Sequence, residues 1–236
     1  MEGLFPVLAV QIGIILLSAM TQASLQCATG AMLLLYHESL GKHVKKTTKR
    51  LASNYILGVV FMNCLLVASM AFGILTIANG PLSIDFLAII AAIMTLVSVM
   101  VWFFYYRSKQ STQLWLPKSV TRLINQRAKK TDSKVEAFSL GMLTTLAEMP
   151  FSFVIVLAAA NSVLKLPLLL QCAGILFYAA IAILPLSMLR FFIRHGRTVV
   201  DIQKWRVKNK DFMKLVSGIL LLTLAIFIVA YEIVGV

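Results

Sequence analysis

The chain has 236 residues, 60% of them hydrophobic and 13% charged, with a mean hydropathy of +0.89. No ordinary soluble domain is that apolar, and the net charge of +13 sits between apolar runs rather than in a nucleic-acid patch. Three cysteines, Cys27, Cys64 and Cys172, lie in different apolar segments without a C-x-x-C pair, which argues against a disulfide framework and a zinc site.

Six apolar segments follow one another: Leu4–Tyr36, Tyr55–Ala78, Leu82–Tyr106, Ala137–Leu164, Leu166–Ile193 and Phe212–Val234. The start "MEGLFPVLAV" has no basic residue before Lys42, so it reads as a retained first span rather than a signal peptide. The first segment would reach about 50 Å as one straight helix, against a hydrocarbon core of about 30 Å. Its polar middle, "TQASLQCATG", predicts a broken or partly interfacial helix. The expected fold class is therefore an all-α membrane protein with six transmembrane helices. One integral membrane domain covers 1–236. It divides into a three-helix half (1–106), a basic cytoplasmic linker with an amphipathic helix (107–135) and a second three-helix half (136–236).

Lys42–Arg50, the stretch Arg107–Lys134 and the stretch Arg190–Lys214 carry nearly all the basic residues, and Lys165 alone falls on the other side. By the positive-inside rule these loops are cytoplasmic and both termini are outside. The bacterial cytoplasmic membrane is the expected location. The outer connections "NGPLS" and "KLP" are tight turns with no room for a soluble domain. In the inner loops, "WLPKSVTRLINQRAKK" starts a helix at Pro117 and places Val120, Leu123 and Ile124 on one face. "VVDIQKWRVKNK" spaces Val199, Ile202 and Trp205 alike. Both are expected to lie on the anionic inner leaflet as amphipathic helices.

The halves enter from opposite sides, as in an inverted-topology repeat. "LSAMTQAS" (17–24) can be laid on "LTTLAEMP" (143–150), setting Gln22 against Glu148 and Ser24 against Pro150. Both stretches are expected to break the first helix of their half. Glu148 lies twelve residues past Glu136, or about 18 Å at ~1.5 Å per residue, near the bilayer midplane. A charge there costs at least ~2.5–3.5 kcal/mol, so it should face a cavity or a partner. Either the acid is neutral at rest because burial disfavours its charge, or it is ionised and holds a cation. Pro150 frees the carbonyl of Leu146, an acceptor expected beside the acid. Thr144, Thr145 and Ser152 add hydroxyls. Thr21, Gln22, Ser24 and Gln26 would face them, with Asn63 of the second span. Small polar residues are also ordinary at helix contacts, and a lone buried Glu can simply tie helices together.

Weaker candidates are His37 and His43, read as solvated loop residues, and eleven scattered methionines, read as core. Asp85 is expected to cap a helix, and Gln171 lies near the outer boundary. No Ser-His-Asp set, H-E-x-x-H or glycine-rich phosphate loop occurs, so neither an enzyme activity nor a cofactor is expected.

The six-span plan, the polar motifs "SAMTQAS" and "GMLTTLAEMP" in the first and fourth spans and the long basic linker together resemble the lysine exporter superfamily. That group includes LysE-type amino-acid exporters, metal-ion exporters and CcdA/DsbD-type thiol electron carriers. The resemblance implies two inverted three-helix halves with functional residues in the first helix of each. Glu148 and Pro150 fall at the second-half motif, Gln22 and Ser24 at the first. The leading expectation is a secondary transporter, an exporter of a small cationic or zwitterionic solute such as an amino acid or metal ion, with Glu148 as the proton- or cation-coupling group. The alternatives are a CcdA-like redox carrier pairing Cys27 with Cys64 or Cys172, and a non-transporting subunit recruiting a partner through its basic inner face. The expected partners are anionic inner-leaflet lipids and the solute, with room for a homodimer. The topology predicts that a cysteine placed at Lys129 is labelled from the cytoplasmic side in intact cells. Labelling by an impermeant reagent added outside would reverse the orientation.

Overall fold

The computed structural model describes residues 4–25, 45–103 and 118–235. These form α1 (Leu4–Leu25), α2 (Lys45–Ala78), α3 (Ile84–Phe103), α4 (Lys118–Lys130), α5 (Lys134–Leu164), α6 (Leu168–Ala182), α7 (Leu184–Arg194), α8 (Val199–Lys208) and α9 (Lys210–Ile228). A π-helical turn, Val229–Val234, extends α9. No strand occurs among the described residues. Five helices are long and apolar enough to cross a membrane, and the bent pair α6–α7 makes a sixth if it counts as one span. The helix set is compatible with an integral membrane protein.

Local sequence sets the helix ends. At α5 the run Ser133-Lys-Val-Glu136 forms a capping box. The Ser133 hydroxyl accepts from the Glu136 N–H at 3.2 Å, and the Glu136 carboxylate accepts from the N–H groups of Ser133 and Asp132 at 3.1 and 2.9 Å. At the far end of α5, the Gln171 amide donates to the Leu166 carbonyl at 3.2 Å. The α2–α3 turn contains Asn79 at φ 56°, a left-handed conformation that asparagine tolerates better than most residues. Asp85 lies in the first turn of α3, where its charge suits the helix dipole. Thr198 caps α8: its hydroxyl donates to the Asp201 carboxylate at 2.6 Å and accepts from the Asp201 N–H. That hydroxyl bond holds the Asp201 carboxyl below its ordinary range.

Helix α5 is the centre of the bundle and packs on α1, α2, α3, α4 and α6. Its crossing with α2 is close because both helices offer a glycine. A Cβ on Gly58 would lie 2.1 Å from the Phe138 carbonyl oxygen, and one on Gly141 2.2 Å from that of Tyr55. Small residues let helix backbones approach in this way where lipid gives no hydrophobic drive to association. The α3–α9 crossing repeats the device. Trp102 covers Gly218, and the Ser98 hydroxyl donates to the Gly218 carbonyl at 2.8 Å.

Three expectations change. First, α5 runs unbroken through Pro150, and the described part of the first span, α1, is likewise continuous to Leu25. One proline removes one backbone hydrogen bond, and the packed neighbours of α5 hold the helix together around it. The break falls instead in the fifth span, where α6 and α7 meet at 44° beside Pro185. Second, part of the apolar face of each basic-end helix is buried in the protein, while Leu123 is exposed. Ile124 and Ala128 of α4 and Val199 and Ile202 of α8 join one core cluster with Leu51, Tyr55, Leu140 and Leu186. Third, Trp205 is exposed and Arg206 takes the buried position after Val199 and Ile202, following the i, i+3, i+7 spacing of a helix. Gln26, Cys27, His37, His43 and Pro117 lie outside the described residues, as do the side chains of Val120 and Lys129.

The glycine crossing predicts a contrast between two alanine variants. Gly58→Ala forces a backbone clash and should cost about 1–3 kcal/mol, lowering the melting temperature in detergent by roughly 2–4 °C per kcal/mol. Gly73, whose Cβ would meet nothing within 4 Å, should tolerate alanine with no loss or a small gain. Equal melting temperatures for the two variants would contradict the crossing.

Candidate functional site

One face of α5 is polar where it is most enclosed. Gly141, Thr144, Thr145, Glu148 and Ser152 are all buried and recur at three- and four-residue spacing. Two helices grip this face one turn apart. From α2, the hydroxyls of Tyr55 and Thr144 share a hydrogen bond of 2.9 Å. From α1, the Gln22 side-chain amide donates to Glu148 Oε2 at 3.2 Å. Glu148 is 4% exposed and Gln22 5%. The acid therefore sits at mid-length of the longest apolar helix in the second half, enclosed by protein.

The remaining polar side chains of the region divide into two groups. Some are satisfied by their own helix. Thr21 bonds the Leu17 carbonyl at 2.7 Å, Ser24 the Thr21 carbonyl at 2.7 Å, Thr145 the Gly141 carbonyl at 3.1 Å and Ser152 the Glu148 carbonyl at 3.1 Å. Others are buried with an atom that has no hydrogen-bond partner among the described residues: Gln22 Oε1, Ser18 Oγ, Asn63 Oδ1 and the Tyr178 hydroxyl. Ser18 and Gln22 are one turn apart on α1. Tyr178 of α6 lies within electrostatic range of Glu148. Asn63 belongs to the α2 stretch, Met62 to Val67, that packs with Ala19 and Tyr178 in one cluster. Each such orphaned polar atom costs about 1–3 kcal/mol, and two of them, on Gln22 and Tyr178, belong to residues that interact with Glu148.

The expected site residues thus separate. Glu148 and Gln22 meet. Thr144 is held by Tyr55. Asn63 is buried in the adjoining cluster. Thr21 and Ser24 spend their hydroxyls within α1, and the Ser24 carbonyl accepts from Ser217 of α9 at 3.2 Å. Pro150 is exposed on the outside of the bundle with Leu146 and Phe153. Two residues along a helix are roughly 200° around it, so Pro150 and Glu148 face opposite ways. The carbonyl that Pro150 frees belongs to this outward stripe, so it is not an acceptor beside the acid.

Sequence reasoning missed Ser18, Tyr55 and Tyr178, and also a second, half-buried acid. Glu232, in the π-helical turn, pairs with Lys165 and accepts from the Gln11 amide at 2.9 Å. The signal was present: Lys165 is the lone basic residue at its end of the bundle, and Glu232 is the acid of the last apolar run. π-Helical turns also recur at functional positions. Among the described residues no group of three His, Cys, Asp or Glu side chains could hold a metal ion. Cys64 is half-buried and Cys172 exposed, in different helices.

Comparison with protein-family models, curated proteins and solved structures finds no match for this chain.

The Gln22–Glu148 contact predicts energetic coupling. A double-mutant cycle of Gln22→Ala and Glu148→Gln, read by thermal or denaturant unfolding in detergent, should give a coupling of about 0.5–3 kcal/mol. Simple additivity would mean that the two side chains do not support each other.

Proposed function

We propose that this chain is a secondary transporter in the cytoplasmic membrane, with a central site for a small cationic or zwitterionic solute between α1 and α5. The observation that carries the reading is the enclosed Glu148 carboxyl held by the Gln22 amide, with Gln22 Oε1, Ser18 Oγ one turn along α1, Asn63 Oδ1 and the Tyr178 hydroxyl buried and without a hydrogen-bond partner among the described residues. An acid at bilayer depth is costly unless it is used, and acids there recur in ion and proton pathways. The set combines one carboxyl, two amide oxygens and two hydroxyls. It is rich in acceptors, which suits an ammonium group, a metal cation or a proton.

The packing supports an inverted repeat of two three-helix halves. Exchange α1 with α5, α2 with the α6–α7 span and α3 with α9. Contact of α1 with α6 becomes contact of α5 with α2, and contact of α1 with α9 becomes contact of α5 with α3. Contacts α1–α5, α2–α6 and α3–α9 map onto themselves, and all of these occur. The α5–α6 contact has no comparable α1–α2 counterpart among the described residues. In such repeats the site lies near mid-membrane between the first helices of the halves, where Gln22 meets Glu148. The same placement is what a resemblance to the lysine exporter superfamily implies. With the basic end cytoplasmic, both termini lie outside.

Glu148 then acts as the coupling group. Losing its proton strengthens its hold on a cation, and gaining one weakens it, so a pH difference biases loading between the two sides. The Lys165–Glu232–Gln11 cluster closes the opposite end of the bundle from the basic helices.

Reconstituted protein should move solute across liposomes in response to a pH gradient, tested with amino acids, polyamines and divalent metal ions. Glu148→Gln, which keeps the shape and removes the titration, should abolish coupled movement while leaving the protein folded. Unimpaired transport by Glu148→Gln would remove this residue from the mechanism.

A further inference from the structure

One seam joins the two acids that the bundle holds. On α1, Gln11, Ile15, Ser18 and Gln22 follow the i, i+4, i+7, i+11 spacing of a single helix face, and none is more than 5% exposed. At one end of this stripe Gln22 meets Glu148 of α5. At the other end, about 16 Å along the helix, the Gln11 amide donates to Glu232, and Glu232 pairs with Lys165, the C-cap of α5. Between the two ends, Ile15 shares a core cluster with Ala159 of α5. The α5 residues spaced likewise from Glu148 are Ser152, Ile155, Ala159 and Ser162, all buried and mostly small. On the α1 stripe, Ser18 Oγ and Gln11 Oε1 have no hydrogen-bond partner among the described residues. The seam therefore holds few large apolar side chains, and an ion pair stands at its end away from the basic helices.

We propose that Lys165, Glu232 and Gln11 form a gate, shut in this structure, and that the α1–α5 seam behind it is the route from that side of the membrane to Glu148. The inference rests on the transport reading and adds the path to it. Gln11 belongs to the first half of the chain, and Lys165 and Glu232 to the second, so the Gln11–Glu232 bond ties the halves together. Lys165 holds Glu232 where it can take the Gln11 amide. An ion pair is a poor permanent seal, because apolar residues of similar volume close a buried contact without the cost of desolvating charge. It is a good reversible one here. The Lys165 side chain is 23% exposed, so the pair lies beside water and its charges are hydrated when they part. Gln11 Oε1, without a partner while the seam is shut, gains water as one when it opens. Glu232 also sits in a π-helical turn, a local irregularity that recurs at functional positions.

Cysteine accessibility of the full chain in liposomes tests this, with Cys27, Cys64 and Cys172 replaced by serine. A membrane-impermeant maleimide is applied on the side from which Ser83→Cys, in the exposed α2–α3 turn, is labelled. Ile15→Cys, midway along the seam, should react slowly while the gate is intact. With Lys165→Met or Glu232→Gln it should react about fivefold faster, the shift that loss of a partly exposed ion pair gives. Lys165→Glu combined with Glu232→Lys should restore the slow rate. Leu140→Cys, buried at the basic end, should stay slow in every background. Equal rates for Ile15→Cys in all backgrounds would overturn the proposal. So would a swapped pair as reactive as the single variants, or an equal rise at Leu140→Cys, which marks general loosening. The readout is access rather than transport, so the two readings fail separately. Transport unimpaired by Glu148→Gln beside this pattern of access removes Glu148 and leaves the gate. Transport lost in Glu148→Gln with unchanged access in the gate variants does the reverse.

Discussion

A carboxyl group enclosed at mid-length of an apolar helix is the constraint around which the rest is arranged. Burying a carboxylate without partners costs several kcal/mol, and lipid cannot supply a partner. Glu148 must therefore face protein, and the face of α5 that carries it must be the most covered face in the bundle. The Gln22 amide donates to it from α1, and Tyr55 of α2 holds Thr144 one turn away. With α5 pinned from two sides, α3, α6 and α4 fill the remaining directions. The glycines at the α2–α5 crossing follow from the same need: hydrogen bonds between helices of short reach require backbones that lie close.

The arrangement leaves a contrast between rigid and unfinished polarity. Thr21, Ser24, Thr145 and Ser152 close their hydroxyls onto their own helices and ask nothing of a ligand. Gln22 Oε1, Ser18 Oγ, Asn63 Oδ1 and the Tyr178 hydroxyl find no such partner among the described residues. A structural tie between two helices would need only the donor that Gln22 gives to Glu148. The surplus of unpartnered acceptors and hydroxyls is what favours a site that takes something up, and it is why the transport reading is preferred to a purely structural one.

Much of this was legible from residue types. Glu148 and Gln22 stand out because intramembrane polar side chains are rare and must meet partners, and the apolar runs mark the spans. Pro150 was misplaced because its nearness in sequence was read as nearness in space. The 3.6-residue period already puts positions 148 and 150 on opposite sides of a helix. The bend at Pro185 was hidden inside an uninterrupted apolar run, where hydropathy carries no record of direction. Tyr55 and Tyr178 could not be singled out, because an aromatic in an apolar segment looks the same whether its hydroxyl is used or not. Glu232 and Lys165 were each visible, but their pairing depends on how the last span returns beside α5.

The central claim, that a site at Glu148 binds a small cationic or zwitterionic solute, is open to a direct binding measurement. Purified protein is titrated with amino acids, polyamines and divalent metal ions, and heat of binding or thermal stabilisation is read over a range of pH. The account predicts that at least one class stabilises the wild type, increasingly as the acid ionises, and that Glu148→Gln removes the effect. Stabilisation of equal size in Glu148→Gln would contradict it, placing the solute elsewhere and leaving the Gln22–Glu148 pair as a tie between helices.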